Sequence, residues 1–257
     1  MKKSEVLKKL NKAFGDFEFF DQDHHYEYKG IPVGISVTRL IDEYVNEFDA
    51  ESVAYRVALK QDRPVRDILD EWQYKNEFSK AKGHTCHEYA QCLWNGLPYT
   101  WLDFGDDHDY NMAVIKIQNQ ARDFYESHKN LYEHVADEFV VGSVEYDVAS
   151  AIDHLFINKK TGGLIIVDYK TNTDLYKNES YAKFMKPPLS HLKDTKINHY
   201  YIQLSIYKFL IETYTDLKVE DTIIVWFSEN NDDGFKTIQA PYLEKEVKSI
   251  LEWRKFE

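Results

Sequence analysis

Between Ala151 and Thr171 the chain reads AIDHLFINKKTGGLIIVDYKT. Two apolar, β-branched runs flank the turn cluster NKKTGG at 158–163, which is the pattern of a β-hairpin. With a symmetric loop, Asn158 opposite Gly163, Asp153 lies directly opposite Asp168. Opposed residues of an antiparallel pair hold their Cβ atoms about 4.5–5.5 Å apart on one face. Lys170 is two residues further on and points to that same face, opposite the small Ala151. Any fold containing this hairpin therefore gathers two carboxylates and an ammonium among apolar neighbours. Facing carboxylates repel, and burial raises the cost unless something neutralises them. A divalent cation does so, since Mg²⁺ is commonly held by one or two carboxylates with phosphate oxygens and waters. Lys170 beside such an ion can hold or deprotonate an attacking water, or stabilise charge on a phosphate. An Asp–Lys pair on a solvated sheet face is the competing reading of the same residues.

Hydropathy spacing fills in the rest of the chain. Residues 4–14 have the pattern of a short amphipathic helix, and FEFFDQDHHYEYKGIPVGISVT alternates like strand or loop. From Thr38 to about Asp70 apolar residues recur at helical spacing, interrupted at Pro64. A further helix is expected from about Glu71. Thr85-Cys86-His87-Glu88 matches the capping box, so a helix is predicted to start at Thr85, with Asn95-Gly96 as its stop. Another helix is expected over 111–128. Strands follow near 138–142, 148–157 and 164–171, then a long loop, a helix over about 198–214, a strand at 222–228 and a C-terminal helix over about 242–256. The 257 residues show no repeat, low-complexity tract or linker and suit one domain with a substantial core. Residues 1–35 form an N-terminal extension with no assigned role, and the core spans about 80–230. The expected class is mixed α/β (α+β), a central mixed sheet flanked by helices with a helical N-terminal segment.

Composition narrows the function. No run approaches the ~18 apolar residues of a membrane helix. MKKSEVLKKL has no apolar stretch after its lysines, so a signal peptide is not expected and the cytoplasm is the default location. Cys86 and Cys92 are the only cysteines, and their spacing suits neither a zinc ribbon nor an iron–sulfur cluster. The net charge of −12 is awkward for a nucleic-acid protein, because affinity for phosphate comes mainly from Lys and Arg.

Four motifs occur in order: Gly83-His84-Thr85-Cys86-His87, Ile152-Asp153, Asp168-Tyr169-Lys170, and Gln203-Leu204-Ser205-Ile206-Tyr207. Together they resemble the PD-(D/E)xK nuclease superfamily, most closely its RecB-like and phage exonuclease branches. SVTRLI and PPLSHLKDTKINHYYIQLSIY add to the likeness, which covers roughly residues 36–230. Ile152 stands where the signature has Pro. The resemblance implies a restriction-endonuclease-like core and a metal-dependent deoxyribonuclease. Asp153, Asp168 and His87 would bind Mg²⁺ or Mn²⁺, with no iron–sulfur cluster, and Lys170 would position or activate the water. It also implies DNA as substrate, 5′-phosphate and 3′-hydroxyl products, and exonuclease action in recombination, repair or phage replication.

A His87 in the first helical turn would sit at the positive dipole end, which disfavours imidazolium and leaves the neutral ligand form. His84 is expected in a loop near the substrate. Gln203 and Tyr207 share one helix face and join the catalytic set, with Gln203 expected to hydrogen-bond Lys170 or a phosphate. Glu138 is a weak further acidic candidate, and Glu145 belongs to the turn GSVEYD. The loop from Asp174 to Asn198 is locally basic. Lys177, Lys183 and Lys186 are candidate phosphate contacts there, and Tyr181, with Tyr176 and Phe184, can stack on bases. Lys159 and Lys160 at the hairpin tip add to an expected basic rim. The acidic total points to a DNA-binding partner protein or a homo-oligomer that retains the substrate, and not to a membrane. Two rivals stand: a catalytically idle nuclease fold used for nucleic-acid binding or assembly, and a metal-dependent hydrolase of other chemistry.

Overall fold

The computed structural model describes residues 1–99, 107–177, 179–180 and 182–254. In chain order the elements are α1 (Lys3–Phe14), β1 (Phe17–Phe20), β2 (His25–Tyr28), β3 (Ile31–Pro32), β4 (Ile35–Ser36), α2 (Val37–Asp42), α3 (Ala50–Gln61) and α4 (Val65–Asn95). They continue with α5 (His108–His128), β5 (Tyr132–Ser143), β6 (Val148–Asn158), β7 (Leu164–Lys170), α6 (Lys196–Tyr214), β8 (Val219–Trp226), β9 (Lys236–Gln239) and α7 (Glu244–Arg254). The result is mixed α/β, as the sequence pattern anticipates: a six-stranded mixed sheet between helical layers. A separate three-stranded antiparallel sheet, β1-β2-β3, is built from the aromatic N-terminal segment. Among the described residues, no helix is long and apolar enough to cross a membrane.

The sheet buries both faces. Leu155, Ile157, Leu164 and Ile166 pack with α1, α2, α6 and α7 on one side. Phe156, Ile165, Val167 and Tyr169 pack with α4 and α5 on the other. This explains why β6 and β7 read as near-continuous apolar runs and not as a simple alternation. β6 is the hub. β5 lies antiparallel along its whole length, while its opposite edge is shared by β4 at Val148–Ala149 and β7 at His154–Ile157. Between those two partners, residues 150–153 have no ladder on that edge.

Three expectations about helices are corrected. The helical pattern from Thr38 to Asp70 is two helices, α2 and α3, and Pro64 caps the next helix and does not merely interrupt one. That helix, α4, starts at Val65, ahead of Glu71. It also runs unbroken through Thr85, so the capping box there caps nothing. Gly96 ends α4 as expected, in the left-handed conformation that a C-terminal glycine takes without strain (φ 63°). The long continuous helix places His87 in its interior, so the dipole argument for His87 does not apply.

Candidate metal centre

The hairpin register agrees with the symmetric-loop expectation: His154 pairs with Val167, and the pairs toward the turn follow the same offset. The ladder stops there. One step further, where Asp153 and Asp168 would pair, the strands separate. The Asp153 carboxylate enters the gap, and its Oδ2 accepts the Tyr169 backbone N–H at 3.0 Å. Nearby on the same edge, the Tyr26 hydroxyl accepts the Ala151 N–H at 3.1 Å. Side chains thus replace the missing ladder where β6 and β7 part, which satisfies the backbone donors.

Four elements converge on this gap. Asp153 comes from β6, Asp168 and Lys170 from β7, His87 from α4 and Glu138 from β5. Ligand atoms of His87, Glu138 and Asp153 lie within 4.8 Å of one another. His87 Nε2 lies 3.0 Å from the Tyr169 carbonyl and Nδ1 lies 3.5 Å from Asp153 Oδ2. A carbonyl only accepts, so Nε2 carries the hydrogen, and Nδ1 is the ring nitrogen that faces Asp153. Glu138 is opposite Asp153 by the flanking pairs Asp137–His154 and Phe139–Ile152. Its backbone is left-handed (φ 45°), a strained state of about 1–3 kcal/mol for a residue with a Cβ.

Asp168 is fully enclosed, and among the described residues neither of its carboxylate oxygens accepts a hydrogen bond of good geometry. Lys170 Nζ is 2.6 Å from Asp168 Oδ2 and 4.5 Å from the Tyr200 ring centroid. Burial pushes the Asp168 carboxyl up to about 6, helped by the Asp153 charge and opposed by Lys170. Glu138 rises to about 7, by burial of the carboxylate first and then by the charge of Asp153. Burial also acts upward on Asp153, but the His87 and Lys170 charges outweigh it and hold that carboxyl below its usual value. On Lys170 burial works downward, yet Asp168 and Asp153 keep the ammonium above its ordinary pKa. Lys170 is therefore a cation here, suited to donate to an oxyanion or a water and not to take a proton.

These observations fit a divalent cation. A buried carboxylate beside an ammonium, two further carboxylates of which the Asp153 charge raises Glu138, and an imidazole nitrogen facing them form an N/O donor set able to hold a metal ion.

The other expected site residues divide. Gln203 does not reach Lys170; its Nε2 donates to the Tyr207 hydroxyl at 2.8 Å. That hydroxyl is 3.1 Å from Ser150 Oγ, so the pair ties α6 to β6 just before the gap. His84 is not in a loop. It is an exposed residue of α4, 3.1 Å from Glu88. An added Cβ at Gly83 would meet only Thr171 Oγ1, at an ordinary 3.4 Å, so close approach does not demand glycine there. Lys177 lines a depression with His87, Lys170, Asn172 and Tyr200. A second depression on the other side of His87 is lined by Phe19, Asp21, His84, Gln91 and Glu138. Lys183 and Lys186 are exposed in the 174–198 loop, and Tyr181 lies outside the described residues. Lys159 and Lys160 are in the turn at the opposite end of the hairpin, beyond Gly163, which is itself five residues or roughly 16 Å along the strand from Asp168, and do not rim the site. Sequence reasoning missed Tyr200, whose ring faces the Lys170 ammonium and whose hydroxyl donates to Asn172 at 3.0 Å. It sits three residues before Gln203, nearly one helical turn away, and that spacing was its only signal.

No family model matches this chain, and no curated protein matches it. Among solved structures it is similar to one described as "Putative exonuclease" from Eubacterium rectale, with a TM-score of 0.41 and 13% identity over 68% of this chain. The match spans 64% of that protein's length. At such distance the chemistry must be argued from the residues themselves.

Proposed function

We propose that this protein is a metal-dependent nuclease that hydrolyses DNA phosphodiesters. The observation that carries the reading is Asp168, buried beside Lys170 and next to the Asp153–His87–Glu138 cluster. Asp153, Asp168 and His87 hold the ion, and Glu138 joins them. A bound divalent ion supplies Lewis-acid polarisation of the scissile phosphate and lowers the pKa of a coordinated water. Lys170, kept cationic by two carboxylates, positions that water and stabilises charge on the phosphate. Tyr200 and Asp168 fix the direction of the Lys170 side chain. Gln203 and Tyr207 act as positioning residues that hold β6 against α6 next to the gap.

The two depressions meeting at His87 give a backbone a path across the centre, one side carrying Lys170 and Lys177, the other Phe19 and Asp21. Lys177 is the best-placed phosphate contact. Lys183, Lys186 and His84 complete the substrate set at longer reach. Exonuclease action in recombination, repair or phage replication follows the motif resemblance, as does retention of DNA by a partner or a homo-oligomer.

The test uses linear duplex, single-stranded and closed circular DNA with Mg²⁺, Mn²⁺ or EDTA, beside Lys170→Ala. Degradation of linear DNA only, lost in EDTA and in the variant, is the expected result. Cleavage of circles would make it an endonuclease at the same centre. Folded, metal-bound protein that leaves every substrate intact would overturn the reading in favour of an idle fold.

A further inference from the structure

A second group of ligating side chains lies directly behind the first. Asp137 is paired across the ladder with His154, one rung from Glu138 and Asp153. Neighbouring residues along a strand point to opposite faces. The Asp137–His154 rung therefore faces the α4–α5 side of the sheet, where His154 packs 4.5 Å from the Tyr169 ring and 5.8 Å from Phe156.

His134 joins them because of a β-bulge. In a regular strand residues three apart face opposite sides, but the register of β5 against β6 shifts between His134 and Ala136. One extra residue changes the parity and turns His134 to the face of Asp137. His134 Nε2 then lies 2.8 Å, and His154 Nδ1 2.6 Å, from the same oxygen, Asp137 Oδ1. Trp94 stacks on the His134 ring at 6.3 Å, and Asn95 donates to the other Asp137 oxygen at 2.6 Å. His154 is fully buried, and among the described residues neither of its ring nitrogens makes a hydrogen bond of good geometry. Two imidazoles thus aim at one carboxylate oxygen, and the more buried of them has no proper partner for either nitrogen.

We propose that His134, Asp137 and His154 form a second metal site, for a zinc-class transition ion. All three offer a ligand atom within 4.8 Å of the others. Zinc takes His nitrogen and carboxylate oxygen at about 2.0–2.2 Å, which sets tetrahedral ligands about 3.3 Å apart. The two short contacts need to open by about 0.5 and 0.7 Å, a small side-chain rotation. Two imidazoles and one carboxylate favour Zn²⁺ or Co²⁺ over Mg²⁺, which prefers an oxygen shell. Trp94 and Asn95 supply the outer contacts that orient a ligating ring and carboxylate. The site ties β5 to β6 one rung from the candidate catalytic ligands Glu138 and Asp153, and it stands whether or not those ligands serve DNA cleavage.

The experiment titrates the full chain, stripped with EDTA, with Co²⁺ in excess Mg²⁺, reading visible absorption and bound metal by mass spectrometry. Wild type and Asp153→Asn are expected to bind one Co²⁺ with the intense spectrum of tetrahedral coordination. His134→Gln and Asp137→Asn are expected to lose it while keeping a native circular dichroism spectrum. Zn²⁺ should raise the wild-type Tm by several degrees, an effect absent in Asp137→Asn. The proposal is overturned if wild type binds no Co²⁺ under these conditions, as a purely hydrogen-bonded triad would. It is equally overturned if His134→Gln and Asp137→Asn bind as wild type does, or if Asp153→Asn alone abolishes binding. Should His134→Gln fail to fold, the comparison of wild type with Asp153→Asn and Asp137→Asn decides the matter.

Discussion

Without metal, Asp168 is a carboxylate that the fold holds at a cost, and replacing it should make the protein more stable. Its carboxyl rises from an ordinary 3.8 to about 6. That difference corresponds to about 3 kcal/mol of native-state destabilisation once the group is ionised. The sign follows from proton binding. Between pH 4 and 6 the native state holds a proton that the unfolded chain has released, so stability falls as pH rises through this window and stays low above it. Asp168→Asn removes the charge at constant shape and leaves Lys170 its second counter-charge, Asp153, which also supports that ammonium. In EDTA at pH 8 the variant should gain about 2–3 kcal/mol in urea unfolding, and the gain should shrink toward zero by about pH 4. With saturating Mn²⁺ the order should invert, because wild type gains binding energy that the variant forfeits. A variant less stable than wild type in EDTA at pH 8 would refute the reasoning. The Asp168–Lys170 contact would then be a structural anchor and not a ligand waiting for a cation.

Metal affinity should climb steeply between about pH 5 and 8, as Asp168 (about 6) and Glu138 (about 7) give up protons. Calorimetry in buffers of different ionisation enthalpy would show the released protons, and a pH-independent affinity would contradict this. Gly142→Ala should cost about 1–3 kcal/mol in thermal unfolding, since its Cβ would sit 2.5 Å from the buried Phe17 ring; a neutral effect would mean that the β1 hairpin shifts freely. Lys82 is buried, and Glu229 accepts from it through both oxygens, at 2.9 and 2.7 Å. Glu229→Ala should therefore cost about 3–5 kcal/mol, while the double variant Lys82→Met with Glu229→Leu should restore most of it; a single-variant cost below about 1 kcal/mol would contradict this account.

Local pattern carried the hairpin well. The turn residues NKKTGG and the apolar runs beside them set the register, and the structure pairs His154 with Val167 at the anticipated offset. The separation of strands one step later was not legible, because it depends on β4 taking the far end of the β6 edge. The capping-box reading at Thr85 failed for a plain reason. Residues 65–82 contain neither Pro nor Gly, and one interior glycine, Gly83, costs only about 1 kcal/mol, which burial of Cys86, Tyr89 and Ala90 offsets. The bulge that turns His134 toward Asp137 leaves no mark in the pattern of β5. The Lys82–Glu229 pair spans 147 residues and could only come from the fold.

The gap between β6 and β7 has a practical corollary for anyone who wants an inactive form of this protein. Asp153 is a ligand candidate and also the acceptor for the Tyr169 N–H, so one side chain serves both chemistry and backbone. Truncation to alanine would strand that donor in a closed space, and any loss of function would be indistinguishable from a collapsed strand end. Asparagine retains an acceptor at the same distance while lowering the charge. It is the substitution that separates a broken centre from a broken sheet.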